Sequence, residues 1–170
     1  MTTTTIGPDF LPVLEAAGLA GKVSWVNNEL VYPQGTDSAT ITAAEAALAS
    51  YTYDAVKVAQ GVQIGLLSAA CQAAIKAGFT SSALGSAYNY PADDATQGNI
   101  DRAATKGGSL WCQPSSGGAW SFVAHTATEA AQAQADMWTH IQAQQTTYAG
   151  LVGQVNAATT VAGVDAIVWP

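Results

Sequence analysis

The stretch "WCQPSSGGAWSFVAHT", Trp111–Thr126, decides how the second half of this chain is read. "SLWCQ" (109–113) and "AWSFVAH" (119–125) are rich in β-formers, and "PSSGG" between them supplies turn chemistry. The expectation is a hairpin over 109–125. Side chains alternate along a strand, so Trp120, Phe122 and Ala124 share one face of it, and Ser121, Val123 and His125 the other. "TATE" (126–129) follows at once. Thr126 is placed to cap a helix and Glu129 to answer it, which predicts a capping box and a long helix from Ala127 to about Asn156.

The same stretch has a chemical reading, with Cys112 as nucleophile and His125 as base. That pair needs the thiol within about 3 Å of the imidazole. It also needs an exposed thiol and a third group to orient the ring. Strand alternation does not aim the two side chains together, and no third residue stands out. Cys112 is therefore taken as a small buried apolar group, and His125 as a backbone-bonded residue beside the helix cap. His125 and His140 lack neighbours at metal-ligand spacing. Asp93–Asp94 lacks the calcium-loop pattern, and no phosphate-binding glycine motif is present. No catalytic, cofactor-binding or metal-binding residue is nominated, no cofactor is called for, and the chain is expected not to be an enzyme.

Working outward, "KVSWVNNELVY" (22–32) predicts a second hairpin, because Asn27 and Asn28 tolerate the left-handed backbone of a two-residue turn. That register puts Val23, Trp25, Leu30 and Tyr32 on one face. The lead-in, residues 1–21, carries a short helical turn around "DFLPVLEAAG". Thr42 and Glu45 in "TAAE" predict a helix start. Alanine-rich helix then runs to Ala77, interrupted near Tyr51–Tyr53 and stopped by Gly78. Within it Val58, Val62, Leu66, Ala69 and Ala73 form a stripe. Gly61, Gly65 and Ala69 recur every fourth residue, which predicts a face that another backbone approaches closely: packing inside the chain first, a dimer seam second. "FTSSALGSAYNYPADD" (79–94) reads as one irregular strand and a loop. Asp94 then caps a short helix that ends near Lys106 before Gly107–Gly108. The long helix carries Ala130, Met137, Ile141, Tyr148, Leu151 and Val155 on one stripe, with Trp138 and Val152 just off it. "TTVAGVDAIVW" (159–169) predicts a short helix docking Ile167 and Trp169.

The fold class expected is α+β, mainly helical: alanine-rich helices, two β-hairpins at about 22–32 and 109–125, and a long C-terminal helix followed by a short terminal one. The βαβ rhythm of a parallel sheet is missing. The domain reading is an attachment or oligomerisation region over 1–50, containing the first hairpin, and a mainly helical domain over 51–170.

Only 10% of the residues are charged, against about 25% in an average soluble domain. The net charge is −7, and the five basic residues are scattered. Counterion release needs clustered Lys and Arg, so no nucleic-acid partner is expected. Low charge has two readings, alanine- and threonine-rich drift or surface covered by neighbouring chains. The longest apolar stretches are broken by Gln, Lys and Gly, so no membrane insertion is expected. "MTTTTIGPDF" has neither a charged start nor an apolar run, so it does not read as a signal peptide. Cys71 and Cys112 are expected as free thiols. The tryptophans, Trp111, Trp120, Trp138 and Trp169 among them, are read as core rather than as a sugar platform.

Five features in order carry a resemblance: Gly78–Phe79; Tyr90 with Gln97; Trp120 before His125–Thr126; the Gln-rich helix over 127–156; and Ile167 with Trp169. From residue 78 to the end the chain resembles an uncharacterised domain of tailed-bacteriophage tail proteins, one that commonly ends tail-fibre-like or tail-fibre-accessory chains. The pattern contains no catalytic residues. The resemblance implies a structural protein of the virion, in the tail tip, baseplate or fibre region, assembled in the host cytoplasm. Its implied partners are other phage tail proteins and copies of itself. The alternative is a tail-fibre assembly chaperone absent from the mature particle.

Overall fold

The structure is a computed structural model that describes residues 5–170; the first four residues of the lead-in lie outside the described residues. The described residues form two compact units, 5–63 with 158–166, and 64–157 with 167–170.

In the first unit Pro8–Phe10 make a 3-10 turn that runs into α1 (Leu11–Ala16). β1 (Ser24–Val26) and β2 (Glu29–Val31) pair antiparallel, with Trp25 opposite Leu30 and Val26 opposite Glu29. Asn27 and Asn28 take φ of 52° and 66°, the left-handed pair that a two-residue hairpin turn demands. The hairpin follows its expected register. Trp25, Leu30 and Tyr32 pack on a core of Phe10, Leu14, Val23 and Tyr51. The Trp25 ring meets Phe10 edge-on at 5.6 Å. The Tyr51 hydroxyl accepts from the Gly7 N–H at 3.1 Å and donates to Asp9 Oδ1. Burial, with the Asp9 carboxylate beside it, pushes this phenol up to about 12.

α2 (Ser38–Ser50) starts earlier than expected. Its cap is Asp37, whose Oδ1 accepts from the Thr40 N–H at 2.8 Å and whose Oδ2 accepts from the Thr40 hydroxyl at 2.9 Å. Thr42 lies inside the first turns, and its hydroxyl donates back to the Ser38 carbonyl. A carboxylate one turn upstream outcompetes a threonine hydroxyl for the free N–H groups. Residues 51–54 break the helix, and α3 (Ala55–Lys76) follows. The division between the compact units falls inside α3, between Gln63 and Ile64.

α3 corrects a packing expectation. Gln63, Leu67 and Cys71 are its buried side chains, whereas Val62 and Leu66 are 61% and 59% exposed. Nothing lies within 4 Å of a Cβ built on Gly61 or Gly65. The small-residue face expected to press on the rest of the chain is bare. Despite Lys57 and its glutamines, α3 is long and apolar enough to cross a membrane by length and composition.

In the second unit four strands form an antiparallel meander, in the order β3 (Phe79–Ser81), β4 (Tyr88–Tyr90), β5 (Gly108–Pro114), β6 (Ser121–His125). The stretch expected as one strand and a loop over 79–94 instead begins with a further hairpin over 79–90, with Phe79 opposite Tyr90 and Ser81 opposite Tyr88. Gly78 is needed twice over: its φ is +101°, and a Cβ there would collide with the Tyr90 carbonyl oxygen. α4 (Asp94–Lys106) is capped by Asp93, not Asp94. Asp93 Oδ1 accepts from the N–H groups of Ala95 and Thr96 at 3.1 and 3.0 Å. Gly107, at φ +77°, closes the helix with its N–H on the Ala103 carbonyl.

α5 (Ala127–Ala157) opens on the expected box. The Glu129 carboxylate accepts from the Thr126 N–H at 2.7 Å, and the Thr126 hydroxyl accepts from the Glu129 N–H at 3.2 Å. Ala130, Ala133, Met137 and Ile141 share one core with Phe79, Tyr90, Leu110 and Cys112 from the sheet and Ile100 and Ala103 from α4. Residues 159–169 hold a shorter helix than expected, α6 (Val161–Asp165). The Thr160 hydroxyl caps it by accepting from the Gly163 N–H at 3.0 Å. Ile167 and Trp169 lie beyond it, both half-buried.

Asp93→Ala and Thr126→Ala are each expected to cost about 1 kcal/mol in urea unfolding, and Thr42→Ala to be neutral. Asp37, Asp93 and Glu129 are held below the ordinary carboxylate range by the N–H groups and hydroxyls they cap. A lowered carboxyl stabilises the fold above its unfolded value and loses that contribution as pH falls through the folded one. Tm should therefore hold steady above pH ~5 and fall below pH ~4. The fall should be shallower in Asp93→Asn, which keeps the cap without the charge.

Candidate functional site

The sheet has two chemically distinct faces. On the inner one, Leu110 and Cys112 of β5 and His125 of β6 are buried. His125 Nδ1 lies 2.8 Å from the Val123 carbonyl oxygen. A carbonyl only accepts, so Nδ1 carries the hydrogen. In that tautomer Nε2 accepts from the Tyr90 hydroxyl at 2.8 Å. Burial pushes the Tyr90 phenol far above its usual value, and Cys112 beside it adds to the rise. Burial also pushes the Cys112 thiol up, with a partial offset from the Tyr90 hydroxyl.

Cys112 and His125 are thus brought to one place, but through Tyr90 rather than directly. Tyr90 stands in the resemblance pattern, but no local signal pairs it with His125, 35 residues further on. The histidine's two nitrogens are both committed, and the thiol is fully buried and kept protonated. A raised thiol is a poor nucleophile, because the thiolate is the reactive form. The arrangement holds β4 to β6. His140, on α5, points Nε2 at the carbonyl oxygens of Ala74 and Ile75 at 3.2 and 3.3 Å. Both cysteines are buried and free. Among the described residues no three His, Cys, Asp or Glu side chains gather as a metal site would require.

The outer face carries what the core expectation missed. Trp111 and Trp120 are each 39% exposed and Phe122 is 70% exposed. Trp138, on α5, is exposed as well. Alternation sends Trp111 and Phe122, paired across β5 and β6, away from the helices. The hairpin loop ends at Trp120, one residue before β6. The Trp111 and Trp120 rings lie nearly parallel, 15° apart with centroids at 6.4 Å, and Phe122 tilts onto Trp111 at 4.9 Å. Comparison with protein families, curated proteins and solved structures gives no match for this chain.

Polar side chains continue the outer face. Asn89 of β4 stands opposite Gln113 of β5 and Thr80 of β3. Asn89 Oδ1 accepts from the Thr80 hydroxyl at 3.0 Å and from the Ser115 hydroxyl at 2.9 Å. Gln113 Nε2 donates to the Gly118 carbonyl and braces the loop that presents Trp120. The signal for this face was present in the sequence as the alternation of Trp120, Phe122 and Ala124. Treating tryptophan as core filler concealed it.

Tyr90→Phe removes the donor to a buried imidazole nitrogen and is expected to cost about 1–3 kcal/mol in urea unfolding. Both cysteines should react with a disulfide reagent slowly in the native protein and rapidly in urea.

Proposed function

We propose that the chain is a non-enzymatic structural protein of a tailed-phage virion, in the tail tip, baseplate or fibre region. In this reading it is assembled in the host cytoplasm and works by packing against other tail proteins and copies of itself. The observation that carries the reading is the bare side of α3, where Val62 and Leu66 stand 61% and 59% exposed with Gly61 and Gly65 open beside them. Burying each large aliphatic side chain is worth up to about 1.5–3 kcal/mol. Glycines beside them let a neighbour's backbone come close. Depletion of charge is what a protein-covered surface requires, and only 10% of this chain is charged. The ordered resemblance over residues 78–170 supplies the setting.

Mass spectrometry of purified particles tests the proposal. The expected result is the chain present in fixed ratio to other tail proteins. Its absence from particles, with abundance in the lysate, contradicts the proposal in favour of an assembly chaperone that leaves. Val62→Asp with Leu66→Asp should leave the unfolding free energy of the isolated chain within about 1 kcal/mol of wild type, since both side chains are exposed, while reducing incorporation into particles.

A further inference from the structure

We infer that the outer face of the sheet binds a neutral oligosaccharide, with one sugar ring seated against Trp120 and held by the Asn89 carboxamide. The inference does not depend on virion membership.

A cavity of about 240 Å³ opens on this face, with Trp120, Asn89, Thr80 and Gly78 among the residues that line it. Trp120 gives it a flat apolar wall, and the stack with Trp111 holds that ring in its plane. Asn89 gives it a donor pair. The carboxamide oxygen is taken by two hydroxyls, from Thr80 and Ser115. The amide nitrogen bears two hydrogens with no acceptor among the described residues. Those two bonds fix the plane of the carboxamide before any ligand arrives.

Four ligand classes place an apolar surface on an indole, and charge and donor pattern separate them. A nucleotide base would stack equally well, but its phosphates need Lys or Arg nearby. None of the residues that line the cavity is charged, and the chain carries −7 overall. An acidic sugar meets the same objection. A protein partner would favour an apolar patch free of waiting donors, which is what α3 offers and this face does not. A neutral pyranose matches both parts: one side of the ring presents C–H groups, and its rim presents hydroxyl oxygens that accept from an amide. Phe122 and Trp111 extend the apolar surface beyond the cavity, which suits a chain of sugars more than a single one.

The test is retention of the full chain on an array of neutral oligosaccharides of glucose, galactose, mannose, rhamnose and N-acetylglucosamine. Sialylated and sulfated oligosaccharides stand beside them. Wild type is expected to bind at least one neutral member. Trp120→Ala should weaken that binding about tenfold or more. Asn89→Asp keeps an oxygen for Thr80 and Ser115 but loses the amide donors, and should weaken it comparably. Trp138→Ala, an exposed tryptophan on α5, should leave it unchanged. In wild type the bound oligosaccharide should shift the indole N–H resonances of Trp111 and Trp120 and not that of Trp138, a readout that needs no variant to fold. Four results would each overturn the inference: no neutral oligosaccharide retained; retention unaffected by Trp120→Ala; retention of charged oligosaccharides alone; or self-association, abolished by Trp120→Ala in light scattering, in a chain that binds no sugar.

Discussion

The Tyr90 hydroxyl, donated to His125 Nε2 inside the core, fixes which side of the sheet faces the helices. Side chains alternate with a period of two, so a slip of one residue would turn every inward group out. Such a slip in β6 would bury Phe122 and Ala124 and expose His125. Aliphatic contacts alone discriminate weakly against that, because an aromatic ring is welcome in a core. The Tyr90–His125 bond discriminates strongly, since the slip would take away the acceptor of the buried Tyr90 hydroxyl and cost the full penalty of an unmade bond. Among the described residues no buried side-chain nitrogen or oxygen lacks a partner. The Tyr90–His125 bond thereby holds Leu110 and Cys112 inward and leaves Trp111, Trp120 and Phe122 outward.

How much of this the sequence disclosed depended on how far apart the cooperating residues lie. The Asn27–Asn28 turn and the Thr126–Glu129 box involve neighbours, and both formed as read. The alternation along β6 was equally local and equally legible. Competition between local signals was harder. Asp37 displaced Thr42 as the cap of α2, and Asp93 displaced Asp94 on α4, because each carboxylate reaches a threonine three residues on as well as the backbone. The β3–β4 hairpin was hidden because six residues, all small but Leu84, separate two three-residue strands, too short for alternation to show. Tyr90 as the partner of His125 lay out of reach, since nothing in a single sequence pairs residues so distant.

The misjudged tryptophans teach a related lesson. Their size argued for burial, yet tryptophan is the residue for which size and burial part company most often. The sequence had already placed Trp120 and Phe122 on the face opposite His125. Once His125 faces inward, the destination of the aromatics follows. The bare side of α3 was misread for a similar reason: a stripe of small and aliphatic residues shows that one helix face is smooth, not which neighbour covers it. The two exposed surfaces differ in kind. One is aliphatic, small and without donors; the other is aromatic and bordered by amide and hydroxyl groups.

Hydroxyl-radical footprinting with mass spectrometry tests the two-faced sheet most directly. Cysteine and methionine are the most readily oxidised side chains, so their protection is informative. The account predicts rapid labelling of Trp111, Trp120 and Phe122, with Cys112, Tyr90 and Met137 protected until the chain unfolds. Native labelling of Cys112 and Met137 at the rate of Trp120 would contradict it.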